Sequence, residues 1–187
     1  MQDASVDLWA TDEVHFQQHG SRCRMWIPPE IKDPVLLHAP TRKSVGYFGA
    51  VRLRDGRFVF RLETGKFNGP SFFQFLQQLR STSRGTRRRV VVITDNASYH
   101  HSRLHRPWRE KHAHCFALDF LPPYSPELNP IEGLWDQVQD VTCNRRHESL
   151  DALEETLTAA LRPFWETPAR VLSLIHHWLH AQANVTP

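Results

Sequence analysis

Long apolar runs and cysteines are scarce in this sequence. No hydrophobic stretch approaches the ~20 residues that a membrane-spanning helix needs, and the N-terminal MQDASVDLWATDEVHF lacks the basic and apolar regions of a signal peptide. The 3 cysteines, Cys23, Cys115 and Cys143, are far apart and form no CxxC pair, which favours reduced thiols over disulfides or a zinc site. The sequence therefore predicts a cytoplasmic protein without a membrane partner.

Acidic residues are scarce in one segment of the chain. Between residues 42 and 89 there are 12 Lys or Arg against 2 Asp or Glu, a local net charge of +10, whereas the whole chain carries +3. Such a segment predicts contact with a polyanion, with a solvated basic surface as the alternative. Its densest cluster, in a loop that would touch phosphates or simply be exposed, is Arg84, Arg87, Arg88 and Arg89.

The remaining composition is typical of one folded domain. The 187 residues are 40% hydrophobic and 11% aromatic, which is enough for a full core. No internal repeat, linker or low-complexity segment divides the chain. We therefore expect a single domain over residues 1–187.

The first half of the chain predicts three antiparallel strands followed by a helix. Val6–Thr11 has the composition of a strand that ends at Asp12 and Glu13, and two successive side chains of a strand point to opposite faces. Ser44–Leu53 and Phe58–Leu62 flank an Asp-Gly pair, which is a strong hairpin signal. An Asn-Gly-Pro-Ser sequence then opens a helix with a wide apolar face.

The second half predicts alternating strands and helices. Val90–Thr94 is a continuous β-branched run, as expected for a central strand buried on both faces, and Asp95 follows it at once. A helix from about Ser102 to His112 and a strand at Phe116–Phe120 come next, and amphipathic helices fill the C-terminal part. An acid at the carboxyl end of a buried strand lies where open α/β sheets place their chemistry.

A proline-rich loop, LPPYSPELNP, connects the last predicted strand to a helix. Asn129 is a suitable N-cap, Pro130 suits the first helical position, and Glu132 falls at the third. The loop thus delivers the Glu132 carboxylate at a fixed place on the first helical turn. The alternative is a capping box, in which Glu132 only hydrogen-bonds back to the cap amide.

This order of elements predicts an RNase H-like α/β fold. Its mixed five-stranded sheet has three antiparallel strands, then two parallel ones, and is flanked by helices. Asp12 and Asp95 are then neighbours, and a helix after the last strand presents Glu132 opposite them. Adjacent carboxylates raise one another's pKa, a cost that a divalent cation removes. All-oxygen ligation favours Mg²⁺ or Mn²⁺, and two such ions support phosphodiester displacement.

Three motifs together resemble the catalytic domain of bacterial insertion-sequence transposases of the mariner superfamily, also described as DDE superfamily endonucleases. They are WATDE, which ends at Glu13, TDNASYH, which ends at His100, and LPPYSPELNPIEGLW, which ends at Trp135. The resemblance runs from about Val6 to Thr142, and its last motif is long and specific.

The resemblance implies Asp12, Asp95 and Glu132 as catalytic residues and metal ligands, with Mg²⁺ or Mn²⁺, as two ions, for the cofactor. It also implies cleavage of transposon ends and strand transfer into target DNA. The partners would then be double-stranded DNA and, during transposition, further copies of the chain. A bacterial protein of this kind would be nucleoid-associated when bound to DNA.

Other polar residues near the motifs have open roles. Glu13, Asp119 and Glu127 are competing acids that fit the triad less well than the three chosen. Asn96 and His100 would orient the scissile phosphate, or would only hydrogen-bond the turn after the strand.

Transposases of this kind carry an N-terminal helix-turn-helix region that reads the terminal repeats. Because the first predicted catalytic strand begins at Val6, we expect that region to be absent from this chain. The chain would then be the second product of a split reading frame, a fragment of a longer enzyme or a decayed copy. In the first case an upstream helix-turn-helix polypeptide would be a partner. Two alternatives to an active transposase stay open. One is an inactive or recruited DNA-binding remnant, and the other is a stand-alone RNase H-like nuclease.

Overall fold

The computed structural model describes residues 5–19, 30, 43–83, 85 and 87–183. Arg84 and Cys23 lie outside these described residues. The elements, in chain order, are β1 (Val6–Gln17), β2 (Ser44–Arg52), β3 (Phe58–Glu63), α1 (Gly69–Thr82), β4 (Arg89–Thr94), α2 (Arg106–Lys111), β5 (Phe116–Phe120), α3 (Glu132–Thr142), α4 (Leu150–Glu166) and α5 (Pro168–Ala183).

The five strands form one mixed sheet in the order β3-β2-β1-β4-β5. The β1–β2 and β2–β3 pairs are antiparallel, whereas β1–β4 and β4–β5 are parallel. The β2–β3 hairpin turns at Gly56, whose φ of 69° lies in the left-handed region that favours glycine. The predicted fold class, a five-stranded α/β sheet with three antiparallel strands then two parallel, is confirmed.

A separate apolar core lies on each face of the sheet. One core joins the sheet to α3, α4 and α5, and the other joins it to α1 and the segment after β4. Side chains of β1 alternate between the two cores, so that Trp9 packs on the α1 side and Ala10 and Val14 pack on the α3 side. The sheet therefore separates two apolar cores, and β1 contributes side chains to both of them.

Strand β1 is longer than the sequence predicted. It continues past Thr11 to Gln17 because it stays paired with β2 along this whole stretch, up to the Gln17–Ser44 pair. Its parallel pairing with β4 stops earlier, at the Ala10–Ile93 pair. Asp12 is therefore a mid-strand residue, yet it still lies just beyond the end of the parallel ladder.

Only part of the helix predicted from Ser102 to His112 is an α-helix. A 3₁₀ turn at Arg103–His105 precedes the short α2. The helix predicted after Asn68 is confirmed, and Asn68 and Ser71 cap it with reciprocal hydrogen bonds of 3.0 and 3.1 Å.

Two further expectations concern cysteines and membranes. Cys115 is free, but Cys143 is disulfide-bonded, so the expectation of reduced thiols is wrong for that residue. None of the helices in the described part of the chain is both long and apolar enough to cross a membrane.

Candidate active site

The three acids of the predicted triad line a single cavity of about 400 Å³. Asp12 comes from β1, Asp95 follows the last residue of β4, and Glu132 is the first residue of α3. The rest of the wall is made by the residues after β4 and by the proline-rich loop, namely Asn96, Ala97, Leu121, Pro122, Pro123, Tyr124, Ser125, Pro126 and Asn129. Elements that are distant in sequence therefore bring three carboxylates to one concave surface.

The predicted capping geometry of Glu132 is wrong. Helix α3 begins at Glu132 itself, its N-cap is Ile131, and no side chain caps it. Pro130 is part of the turn that precedes the helix. Because Glu132 is not engaged in a capping box, its carboxylate stays available to the cavity.

Asn129 instead joins the proline-rich loop to β1. Its side-chain Nδ2 donates a 3.1 Å hydrogen bond to the carbonyl oxygen of Thr11, and the residue is almost fully buried. That carbonyl lies beyond the last parallel pair with β4, so the amide satisfies a backbone acceptor that the sheet leaves open. The contact holds the loop, and hence the start of α3, against the strand that carries Asp12.

Gly49 on β2 lets α3 approach the sheet. It is the cross-strand partner of Asp12, and Trp135 of α3 lies directly over it. A Cβ atom at this position would be 2.3 Å from Trp135 Cζ2, which no real contact allows. Glu132 lies three residues before Trp135 in the same helix. Its position therefore depends on the absence of a side chain at Gly49.

Burial, followed by repulsion from neighbouring acids, raises the pKa of Asp12 strongly. Burial, and then the charges of Glu132, Glu13 and Asp95, raise the pKa of Asp12 from 3.8 to about 8. Burial and the nearby Asp136 and Asp95 charges also raise the pKa of Glu132. The cluster is therefore unfavourable when fully ionised, and an added cation would relieve it.

Asp95 differs from the other two acids. The hydrogen bond from His100 lowers its pKa, an effect that burial opposes and the Ala97 backbone amide reinforces. The Oδ1 atom of Asp95 lies 2.8 Å from His100 Nδ1 and accepts a 3.0 Å hydrogen bond from Ala97 N. Asp95 is thus held as a carboxylate although it stands beside two further acids.

His100 connects Asp95 to Glu13. The imidazole is fully buried, and its Nε2 lies 2.8 Å from Glu13 Oε1. Burial lowers the pKa of His100, but the hydrogen bonds to Asp95 and Glu13 outweigh it and raise the pKa to about 9. Ligand atoms of the three residues lie within 4.8 Å of one another, but an imidazole that donates from both nitrogens has no lone pair for a metal.

The remaining candidate residues have different positions. Asn96 lines the cavity, and its side chain donates to the carbonyl oxygen of Leu121 at the start of the proline-rich loop. Asp119 is exposed on β5, and the Glu127 carbonyl accepts a 2.7 Å hydrogen bond from Trp178 of α5. Neither Asp119 nor Glu127 lines the cavity.

Tyr124 is not buried by any of the residues that the structure describes. Its side chain is fully exposed at the cavity rim, and its φ of 56° lies in the left-handed region that non-glycine residues seldom occupy. An exposed ring on a strained, proline-flanked backbone is a candidate for contact with a ligand.

The three predicted phosphate-contacting arginines that the structure describes lie away from the cavity. Arg87, Arg88 and Arg89 precede or begin β4, whereas Asp95 follows its other end. The six residues of β4 separate them by roughly 20 Å at ~3.3 Å per residue. Other basic residues of this segment turn inward, because Arg52 and Arg54 form ion pairs of 3.1 and 2.9 Å with the buried Asp7.

The role of Glu13 was not expected from the sequence. Alternation along β1 predicts that Glu13 faces away from Asp12, and the residue does lie outside the cavity. Its contact with His100 spans 87 positions of sequence, and no local pattern signals a contact of that range.

Comparisons with known proteins agree with this geometry. A family model described as DDE superfamily endonuclease matches residues 7–154. The Tc1 transposase of Caenorhabditis elegans is 27% identical, over 94% of this chain and 63% of its own length. An uncharacterized 39 kDa protein of insertion element IS630 from Shigella sonnei is 31% identical, over 51% of this chain and 26% of its own length.

Solved structures share the fold at low sequence identity. The Mos1 mariner paired end complex with Mn gives a TM-score of 0.63 at 18% identity, covering 91% of this chain and 54% of that one. The catalytic domain of Mos1 mariner transposase gives 0.55 at 16% identity, covering 94% and 81%. The chain spans less than two thirds of the length of either of the two relatives named above, whereas the family model covers most of this chain. This chain belongs to the DDE superfamily endonucleases.

Proposed function

We propose that this chain is the catalytic domain of a DNA transposase that cleaves transposon ends and joins them to target DNA. The observation that carries the proposal is the convergence of Asp12, Asp95 and Glu132 on one cavity in a DDE-family fold. The similar Mos1 structures include a paired end complex and a strand transfer complex, which supports double-stranded DNA as the substrate. DNA as the substrate implies a nucleoid-associated protein in a bacterial cell.

The three acids would hold Mg²⁺ or Mn²⁺, with two ions as the expected number. Oxygen-only donors suit these hard cations, and burial together with the neighbouring acid charges raises the pKa of Asp12, a cost that a bound cation relieves. Mos1 complexes contain Mn or Mg, which supports the same choice here. When bound, such ions activate the attacking oxygen and stabilise the leaving oxygen in phosphodiester displacement.

The chain's own residues prepare the site. Asp12 would give up its carboxyl proton when a cation binds, because a ligating carboxylate must be ionised. Asp95 is already held ionised by His100 and the Ala97 amide. Asn129 and Asn96 hydrogen-bond the two ends of the proline-rich loop to β1 and to the segment after β4, which anchors the wall of the cavity.

Asp95→Asn is expected to lower Mg²⁺- or Mn²⁺-dependent nicking and joining of DNA ends by on the order of a thousandfold, because it removes a charge that the cations need. The measurement is a gel assay on duplexes that carry the element's terminal repeats. Asp119→Asn is the matched control, since it removes an exposed acid of the neighbouring strand outside the cavity.

The same assay separates the alternatives. A helix-turn-helix polypeptide supplied in trans tests the predicted partner, and crosslinking with paired ends tests the predicted homo-oligomer. Absence of cleavage with every end sequence, even with that partner, would contradict the proposed function and favour a DNA-binding remnant. Cleavage of RNA–DNA hybrids but not of duplex ends would favour a stand-alone nuclease.

Tyr124 is expected to stack on an unpaired base next to the cleaved phosphate. Tyr124→Asn should weaken binding of DNA with unpaired bases near the end by about tenfold, since one stacked base contributes ~1–3 kcal/mol. Asn tolerates the left-handed backbone, so this change removes the ring without adding strain. Tyr124→Phe keeps the ring and should bind as the wild type does, as measured by fluorescence anisotropy. Equal affinities for Asn and Phe variants would contradict stacking.

A further inference from the structure

The carboxylate of Asp95 is held at one of its two oxygens. Oδ1 contacts two nitrogen donors, the Ala97 backbone amide at 3.0 Å and His100 Nδ1 at 2.8 Å. Within the described residues, Oδ2 has no hydrogen-bond partner, and Asp95 lines the cavity. Two donors on one oxygen fix the plane of the carboxylate, so Oδ2 is the atom that remains for a ligand.

His100 is itself held by its surroundings. The ring is fully buried and packs on Phe72 at 4.1 Å and on Tyr99 at 4.5 Å between ring centroids. The Thr94 hydroxyl, at the end of β4, lies 3.0 Å from the same Nδ1 that contacts Asp95. The remaining nitrogen, Nε2, points to Glu13 at 2.8 Å.

Glu13 reaches His100 from the face of the sheet opposite to Asp12. Its side chain is only 7% exposed, and it also accepts a hydrogen bond from Tyr99. The two neighbouring acids of β1 therefore serve opposite sides. Asp12 lines the cavity with Glu132 of α3, whereas Glu13 contacts His100, which packs on Phe72 of α1.

We propose that Glu13 is a positioning residue that acts through His100 to fix the Asp95 carboxylate, with Oδ2 as its single metal-ligating oxygen. This inference rests on the proposed function, because it assigns a task to the metal site described above. In many metal sites a carboxylate accepts a hydrogen bond from a ligating histidine and so orients its ring. Here Glu13 orients His100 in the same way, but the metal ligand is the Asp95 carboxylate and not the histidine.

The direct test compares Glu13→Met with Glu13→Gln. Both variants remove the charge and keep the side-chain volume, but only Gln retains an oxygen that accepts from His100 Nε2. Glu13→Met is expected to weaken Mn²⁺ binding by about tenfold, the lower end of the effect of losing such a support. Free Mn²⁺ is measured by electron paramagnetic resonance, so the readout does not need catalysis. Glu13→Gln should restore most of the affinity.

Controls separate positioning from stability. Asp119→Asn removes a charge on β5 without touching His100 and should leave Mn²⁺ affinity unchanged. Thermal unfolding of each variant shows whether it is folded, and Glu13→Ala replaces the Met variant if that one is not. A variant that loses stability but binds Mn²⁺ as tightly as wild type overturns the proposal.

Two further results have distinct meanings. Equal losses of affinity in the Met and Gln variants overturn positioning through the hydrogen bond, since Gln retains the acceptor. A wild-type chain that does not bind Mn²⁺ contradicts the metal-dependent proposed function itself. Wild-type binding that Glu13→Met leaves intact contradicts only the role of Glu13.

Discussion

Asp12→Asn is expected to make the metal-free protein more stable at pH 8 while it abolishes DNA cleavage. Burial and the charges of Glu132, Glu13 and Asp95 raise the pKa of Asp12 from 3.8 to about 8. The folded state therefore binds a proton that the unfolded state has released, and stability falls as the pH rises from about 4 to 8. Asn carries no charge and avoids this penalty. The expected gain is on the order of 5 kcal/mol, or roughly 15 °C in Tm.

The pH dependence and the metal dependence test this explanation. Near pH 3 the difference between Asp12→Asn and wild type should disappear, because Asp12 is then protonated in the folded state and largely so in the unfolded state. Added Mg²⁺ should stabilise the wild type and leave the variant unchanged, since the variant lacks a ligand. The measurement is thermal unfolding by circular dichroism at several pH values. If the variant is less stable than wild type at pH 8 without metal, ionised Asp12 does not destabilise the folded state and the explanation is wrong.

Gly49→Ala is expected to destabilise the fold by about 3 kcal/mol, the upper range for overpacking a core. The added Cβ would lie 2.3 Å from Trp135 Cζ2 and 3.2 Å from Ile131 Cδ1, so α3 must move away from β2. Glu132 moves with the helix, and the affinity for Mn²⁺ should therefore fall as well. Urea unfolding gives the stability, and Mn²⁺ titration gives the affinity.

Gly133→Ala is the matched control for this prediction. Gly133 follows Glu132 in α3, and a Cβ at this position meets no atom within 4 Å. An alanine in a helix is favoured over glycine by roughly 0.8–1 kcal/mol, so this variant should be slightly more stable than wild type. The two glycine variants are thus expected to shift stability in opposite directions. Equal stability of Gly49→Ala and wild type would mean that α3 is not seated on β2 by close contact.

The convergence of Asp12, Asp95 and Glu132 could be predicted because it depends on topology. Strands β1 and β4 are parallel neighbours, and residues beyond the end of their shared ladder must lie at one edge of the sheet. The order of strands and helices specified that arrangement, and the proline-rich loop specified a helix close by. The catalytic and metal-binding roles of these three acids stay a prediction until the variants are measured.

Contacts between side chains distant in sequence could not be predicted. Helix α3 starts at Glu132 and not at Pro130, and the Asn129 amide bonds to Thr11 of β1, a contact that spans 118 positions of sequence. The contact between Glu13 and His100 is likewise one that no local sequence pattern reveals. The phosphate contacts of Arg84, Arg87, Arg88 and Arg89 stay predictions, since Arg84 lies outside the described residues and the others lie at the far end of β4.

The distances along the chain between the three acids have a consequence for synthesis on the ribosome. Asp12 and Asp95 are 83 positions apart, and Glu132 comes 37 positions after Asp95. A growing polypeptide therefore contains two of the acids well before α3 has been synthesised. Glu132 can take its place only after Trp135 has been synthesised and can pack over Gly49. The cavity that the three acids line can therefore form only after α3 has been synthesised.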